Sequence, residues 1–269
     1  MSISSTGAPL EDIEFLARSE HRVTALDALA ERPRERSDLL EITGVSSSTI
    51  GRTLREFEDR RWITKDGHLY EATQLGAFVA SGMRDLVDRI ETERKLREVW
   101  QWLPAEASGF TIEMGSGAVV TVADASDPYR PVNRFLSLLR ETERFRFAGF
   151  DIALLAPCKS ELCRRIVDGM DAEIIDPPSV ITYIRSSCPE EFSETLESGN
   201  LTLQVHDDLP AFGLGLFDDR ICIVGYDPES GTVRVSIDTD NPEAREWAES
   251  IYQSYRRETP TLALETTVE

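Results

Sequence analysis

At 269 residues with 41% apolar side chains, the chain can fill one large core or two modest ones, which excludes collagen-like, disulfide-scaffold and disordered classes. Its formal charge is −20, from 49 acidic and 29 basic residues, a balance that ordinarily counts against nucleic acid because neutralised phosphates supply most of that affinity. The acid is unevenly spread: residues 1–85 hold 11 basic and 15 acidic groups, residues 86–269 hold 18 and 34.

From Leu10 to Glu31, Ile13 and Leu16, then Val23, Leu26 and Leu29, recur at intervals of three and four, which predicts two short amphipathic helices broken near residues 19–21. Pro33 ends the pattern. Ser37 is placed to cap a third short helix carrying Leu39, Leu40 and Ile42, which Gly44 stops. Ser46, followed by Thr49, predicts the cap of the next helix, where Ile50, Leu54 and Phe57 form one apolar stripe through to about Arg60. Trp62-Ile63-Thr64, a Lys65-Asp66-Gly67-His68 turn and Leu69-Tyr70-Glu71 then read as a β-hairpin, with Asp-Gly as its turn signal. Thr73 can cap a long helix to about Leu103, ending before Pro104, with Leu75, Val79, Met83, Leu86, Ile90, Leu96, Trp100 and Leu103 near one face.

Beyond it, strands are expected at 111–122, 146–155, 172–175, 201–205, 212–217, 221–225 and 233–237. Helices are expected at 132–141, 160–167, 179–185, 190–196 and 242–255, and the last strands should turn back as an antiparallel meander. The expected fold class is therefore α+β/α/β. A winged helix-turn-helix occupies residues 1–73, a linker or dimerisation helix 74–103, and an α/β effector domain with a mixed sheet 104–260; a frayed tail spans 261–269.

Short helices, a tight Gly44-Val45 turn, a capped helix and a two-stranded hairpin follow the order of a winged helix-turn-helix. With Ile50, Leu54 and Phe57 holding the recognition helix on the core, its outward face must present Ser47, Ser48, Gly51, Arg52 and Arg55. Small side chains let a helix lie deep in the major groove. A helix start bearing the hydroxyls of Ser46, Ser47, Ser48 and Thr49 can donate to phosphate, and arginine pairs with guanine or clamps phosphate. Lys65 and His68 stand at the hairpin tip, where a wing would meet the DNA backbone or minor groove, and Glu56, Glu58 and Asp59 are expected to face away. These residues form the candidate double-stranded DNA interface; a merely solvated helix face or a protein-interaction module is the competing reading.

The run from Gly44 to Leu54, Arg60-Arg61-Trp62-Ile63 and Thr73-Gln74-Leu75-Gly76 resemble archaeal winged-helix transcriptional regulators. The C-terminal half is similar to the methanogenesis-regulator middle domain that follows this winged helix in many haloarchaeal and methanogen regulators. The residues concerned are those from Leu203 to Pro210, 212–217, Asp218-Asp219-Arg220 and those from Asn241 to Ala248. The resemblance implies sequence-specific DNA binding governed by an effector or partner that the C-terminal domain senses. Arg61 departs from the pattern, since such proteins usually have glycine where the recognition helix ends.

The C-terminal domain also bears a faint similarity to the phospholipase D fold, whose chemistry needs a histidine nucleophile with a lysine two residues on. His21, His68 and His206 are followed by Arg22-Val23, Leu69-Tyr70 and Asp207-Asp208, so no HxK exists. GxSxG, a P-loop, HExxH and a GxGxxG after a strand are absent too, which disfavours an enzyme, and no cofactor or metal set is legible. Cys158, Cys163, Cys188 and Cys222 show no CxxC; Cys158 and Cys163 near a helix start offer a redox sensor, with buried structural thiols the plainer reading. His206-Asp207-Asp208 could gather a metal or a polar ligand, and a solvated turn after an apolar strand is the better reading.

A helix from 74 to 103, roughly 45 Å long at 1.5 Å per residue, outreaches a small domain, so part of its stripe is expected to face a second copy in a homodimer. No stretch approaches the roughly 20 apolar residues of a membrane span, and the opening Met-Ser-Ile-Ser-Ser-Thr-Gly lacks the marks of a secretory signal, so a cytoplasmic protein with no membrane partner is expected. Lysine is confined to Lys65, Lys95 and Lys159, and with the carboxylate excess this points to a cytoplasm of molar salt, where screening acts over about 3 Å. A transcription adaptor that contacts protein rather than DNA is the main alternative function.

Overall fold

A computed structural model describes residues 7–103, 109–149, 151–227 and 229–258. The chain divides into two compact units, residues 1–90 and 91–269.

In unit 1, α1 (Gly7–Ala17) and α2 (Glu20–Glu31) part at Arg18 and Ser19, where the apolar periodicity breaks. A short strand, β1 (Arg34–Glu35), then leads into α3 (Arg36–Thr43). Ser37 does not cap α3: Glu35 does, in a reciprocal box in which Asp38 Oδ2 accepts from the Glu35 amide at 3.2 Å. The longer carboxylate one turn earlier reaches the free amides that the serine was expected to serve. Gly44 closes α3 in the left-handed conformation at φ 66°, and α4 (Ser47–Asp59) starts at once. Ser46 is its cap, accepting from the Thr49 amide at 3.3 Å. Ile50, Leu54 and Phe57 are fully buried with Leu26, Leu29 and Leu39, each large side chain contributing roughly 2 kcal/mol of burial.

The hairpin consists of β2 (Ile63–Asp66) and β3 (Leu69–Ala72). Asp66 pairs with Leu69, leaving Gly67 and His68 as the two turn residues. β1 adds to the outer edge of β3, making a three-stranded sheet; two residues are too few to leave a periodic signal.

Thr73 Oγ1 accepts from the Gly76 amide at 3.1 Å and so caps α5 (Gln74–Arg97). A Cβ on Gly76 would lie 1.9 Å from the Trp62 carbonyl oxygen, so only glycine lets this helix start against the hairpin. α5 does not continue to Leu103. It ends at Arg97, and Trp100–Trp102 form a separate 3₁₀ turn. Leu96 and Val99 are buried against Ala118, Val235 and Ile237 in unit 2, and tertiary packing overrides the helical spacing there.

Unit 2 is a seven-stranded mixed sheet in the order β4-β10-β9-β8-β5-β6-β7. Its elements are β4 (Val119–Val122), α6 (Arg130–Glu141), β5 (Arg144–Ala148), α7 (Ile152–Val167), β6 (Asp171–Asp176), α8 (Pro178–Ser187), α9 (Pro189–Glu197), β7 (Leu201–Val205), β8 (Phe212–Leu216), β9 (Ile221–Tyr226), β10 (Val233–Thr239) and α10 (Pro242–Glu258). β5, β6 and β7 are parallel; the pairs from β5 through β8, β9 and β10 to β4 are antiparallel, the expected meander. One face buries Phe135, Phe145, Phe147 and Leu162 under α6 to α9. The other buries Phe212, Leu214 and Ile223 under Ala244, Ala248 and Tyr252 of α10.

Two expected strands are corrected. Residues 111–118 carry a 3₁₀ turn at Glu113–Gly115, and only 119–122 is extended, because Gly115, Ser116 and Gly117 break the run. Residues 152–155 open α7 rather than extending β5. Ile152-Ala153-Leu154-Leu155 is a short apolar run whose period is ambiguous, and the helix it opens continues past Pro157. The expected tail from residue 261 lies outside the described residues.

Candidate nucleic-acid interface

Along α4 the buried side chains are Ile50, Thr53, Leu54 and Phe57, and Ser47, Ser48, Arg52 and Arg55 are exposed, with Gly51 half-buried. At 100° per residue, Ser48, Gly51, Arg52 and Arg55 share the face opposite the core. Three contacts hold the helix at this rotation. His21 Nε2 lies 3.1 Å from Thr53 Oγ1. Arg22 Nη2 donates to Glu56 Oε2 at 3.4 Å, and Arg60 Nε to Asp12 Oδ1 at 2.9 Å. The guanidinium groups of Arg22 and Arg60 lie 4.1 and 3.9 Å from the ring centre of Phe15, which meets Phe57 edge-on. Glu56 is thereby turned toward α2, as expected. Burial, with the charges of Arg22 and Arg52, holds His21 below the usual imidazole range.

The helix start is a hydroxyl network. Ser46 Oγ lies 3.0 Å from Ser48 Oγ and 2.9 Å from Thr49 Oγ1. Ser46 and Thr49 are thus occupied in forming the cap, whereas Ser47 and Ser48 are exposed beside it. Arg55 leans back along the helix, its Nε donating to the Gly51 carbonyl at 3.2 Å. Lys65 and His68 are both exposed on the hairpin, and Lys65 Nζ stands 5.2 Å from the ring centre of Tyr70, its cross-strand partner.

Arg36 was not foreseen. Its Nη2 donates to the Ser47 carbonyl, and a Cβ on residue 51 would sit 2.6 Å from that same nitrogen. Gly51 therefore serves as the slot through which an arginine of α3 crosses the exposed face of α4. No sequence signal links positions 36 and 51, because the contact exists only once α3 and α4 are folded together.

The end of α4 explains the departure at Arg61. The Arg61 amide donates to the Glu58 carbonyl at 2.8 Å and the Trp62 amide to the Phe57 carbonyl at 3.0 Å, the paired bonds of a Schellman ending. Such an ending needs a left-handed residue, and Arg61 supplies it at φ 59°, alone among the described non-glycine residues.

Among the described residues, the ion pairs of unit 1 engage Arg18, Arg22, Arg34, Arg60 and Arg84. They leave Arg32, Arg36, Arg52, Arg55, Arg61, Lys65 and Arg89 without a carboxylate partner, all exposed.

The other features are structural. Cys158 is buried mid-helix in α7, where burial pushes its thiol up to about 12; Cys163 and Cys222 are raised for the same reason. The sensor expectation placed Cys158 near a helix start, but α7 begins six residues earlier. His206 Nδ1 accepts from the Asp208 amide at 3.0 Å, closing its turn, and its ring meets Tyr255 edge-on. Among the described residues no three metal-ligating side chains gather, and no helix is long and apolar enough to cross a membrane.

A small unit exposing a capped, arginine-bearing helix precedes, along the chain, a mixed-sheet unit whose carboxylates outnumber its cations. Residues 10–95 match the HVO_A0261 N-terminal domain, and residues 128–258 match the middle domain of the methanogenesis regulatory protein FilR1. The chain joins these two domain families, in agreement with the resemblance its sequence carries. It is similar to TrmBL2, an archaeal chromatin protein, at 13% identity over 93% of this chain and 98% of that one, with a TM-score of 0.42. A phosphatidylserine synthase from Haemophilus influenzae Rd KW20 is similar at 15% identity over 54% of this chain and 39% of that one, with a TM-score of 0.37. ZitR from Lactococcus lactis is similar at 16% identity over 52% and 97%, with a TM-score of 0.26. These scores are too low to carry fold or function, which rest on the family matches and the site. No curated protein matches the chain.

Proposed function

We propose that the protein is a sequence-specific transcriptional regulator that reads double-stranded DNA with α4. In this reading unit 1 is a winged helix-turn-helix, with α4 the recognition helix and the β2–β3 hairpin the wing. The observation that carries it is the set of exposed cations around α4, unpaired in a chain of charge −20. Carboxylates outnumber them, yet none is bonded to Arg36, Arg52 or Arg55 among the described residues, so those donors are available to phosphate and base edges. Ser47, Ser48, Gly51, Arg52 and Arg55 face the groove; Ser46 and Thr49 hold the helix start toward phosphate, and Lys65 and His68 touch the backbone beside it.

The working protein is a cytoplasmic homodimer reading a partly palindromic operator, adapted to high salt. The exposed Leu75, Phe78, Leu86 and Ile90 of α5 form the face for the second copy. Residues 1–73 read DNA, 74–103 connect and dimerise, and 104–260 sense an effector or partner, ahead of a tail at 261–269. An effector acts through differential affinity for the DNA-competent arrangement, about tenfold for each 1.4 kcal/mol.

The test is binding to duplexes selected from a random pool, in molar KCl. Arg52→Ala should weaken the selected site by about 10- to 100-fold and leave melting unchanged. Equal affinity for wild type and variant overturns the assignment. Crosslinking across the genome separates the adaptor alternative: focused promoter peaks that vanish when Arg52 and Arg55 are changed belong to a direct reader.

A further inference from the structure

Unit 2 carries an open cleft of about 910 Å³, within the roughly 300–1,000 Å³ of small-molecule sites. The smaller slot between α7 and α9, about 30 Å³, has room for little more than water. The cleft lies between the loop after β4, the first turns of α6 and α7, and the start of β10. Its walls are mostly apolar, and two of its large side chains, Tyr129 and Ile152, stand 61% and 40% exposed. Such side chains around a concavity in a strongly acidic chain mark a surface meant to be covered.

The one carboxylate of the lining is Asp124, held low by hydrogen bonds and by the nearby charge of Arg130. Asp124 Oδ1 accepts from Ser126 N at 2.7 Å, Ser126 Oγ at 2.6 Å and Asp127 N at 3.0 Å. That turn fixes the carboxylate in place, and no hydrogen bond among the described residues uses Oδ2. Pro157, inside α7, has no amide hydrogen, so the Ala153 carbonyl four residues earlier lacks its helical donor; both residues line the cleft. A proline in a helix interior costs about 3 kcal/mol, and this one stands in the lining of the cleft. The one cation of the lining, Arg234, is already neutralised: its Nε and Nη2 both donate to Asp227 Oδ2, at 3.0 and 2.9 Å. Ser230 and Thr232 bond each other through their hydroxyls at 2.8 Å. Asp151 caps α7 by accepting from the Ala153 amide at 2.9 Å, which offsets the positive end of that helix.

We infer that this cleft binds an aromatic organic cation bearing an N–H donor, its apolar body against Tyr129 and Ile152 and its donor shared between Asp124 and the Ala153 carbonyl. The recognition acts at contact distance, so it survives salt that screens longer-range attraction. The site stands on the cleft alone; only its role as the effector site rests on the regulator reading above.

The probe is auramine O, an apolar diarylmethane cation with N–H donors, whose fluorescence rises when it is immobilised, titrated into the full chain. Saturable binding is expected, with 1-anilinonaphthalene-8-sulfonate, an anion of similar size, at least tenfold weaker. Ala156→Trp fills the cleft and should abolish the signal. Asp124→Asn keeps the turn and should weaken binding about tenfold. Pro157→Ala restores the missing amide hydrogen, so it should weaken the probe several-fold while raising the melting temperature, a pair of changes that a purely structural proline does not predict. Binding unchanged in a folded Ala156→Trp, or a preference for the anion, overturns the site. Should Ala156→Trp not fold, wild-type affinity in both other variants overturns it equally. Operator affinity is then measured with saturating auramine O, using a cleft variant to subtract dye bound to DNA. A change supports the effector role; no change with the cleft occupied overturns that role and leaves the site standing.

Discussion

Arg52 and Arg55 on α4 reach out without a carboxylate partner, whereas Arg134, Arg146, Arg220 and Arg234 of unit 2 each end on an aspartate or glutamate. The clearest pairing is at Asp238, wholly buried on β10. Arg134 donates to its two oxygens at 2.8 and 2.6 Å, and Arg220 Nε adds a bond at 3.1 Å. The same residue type therefore does two jobs. Half-buried against the buried carboxylate of Asp238 it ties α6 and the β8–β9 turn to β10; exposed on a helix rotated by its own apolar stripe it has no carboxylate partner among the described residues. Charge totals conceal this, because a net of −20 says nothing about which cations are already satisfied.

The contrast can be broken most severely at Asp238. Asp238→Ala removes the carboxylate shared by two half-buried arginines, of which Arg220 keeps Asp240, and should destabilise unit 2 by about 2 kcal/mol. Thermal unfolding checks it, while DNA binding well below the transition should stay within twofold. The reverse holds for Lys65→Ala on the hairpin: stability should move by less than about 0.5 kcal/mol. The slope of log affinity against log salt should fall by about one, the signature of a single lost phosphate contact. Arg61→Gly relieves the left-handed backbone at the end of α4 and should raise unit 1 stability by about 1 kcal/mol. A loss of stability there would mean that the arginine side chain outweighs its backbone strain.

The smallest effect concerns pH. His21 is held below its ordinary value, so the unfolded chain binds the proton more readily than the folded one. Its contribution is present above the usual imidazole range and is lost as the pH falls below it. Unit 1 should therefore melt at a lower temperature at pH 5 than at pH 8, and His21→Gln should flatten part of that dependence. A steeper dependence in the variant would show that the burial of His21 does not govern it.

Much of the interface was legible beforehand because it rests on local chemistry. Ser46 before Thr49, Ile50, Leu54 and Phe57 at helical spacing, and Asp66-Gly67 between apolar runs each specify their own geometry, so α4 and the hairpin stand where the residues say. What misled was also local. Glu35 displaced Ser37 because a reciprocal carboxylate outcompetes a lone hydroxyl, and the first half of α7 was concealed because the apolar run 152–155 is too short to show its period.

From its residues alone the chain establishes the rotation of α4 and the cap before it. These depend on periodicity, short-range hydrogen bonds and backbone sterics acting within a few positions. Folding in three dimensions decided that Arg36 crosses Gly51, that α5 stops at Arg97 and that Asp238 absorbs Arg134 and Arg220. Those outcomes pit distant groups against one another for burial and charge, and the balance does not exist until the strands and helices meet.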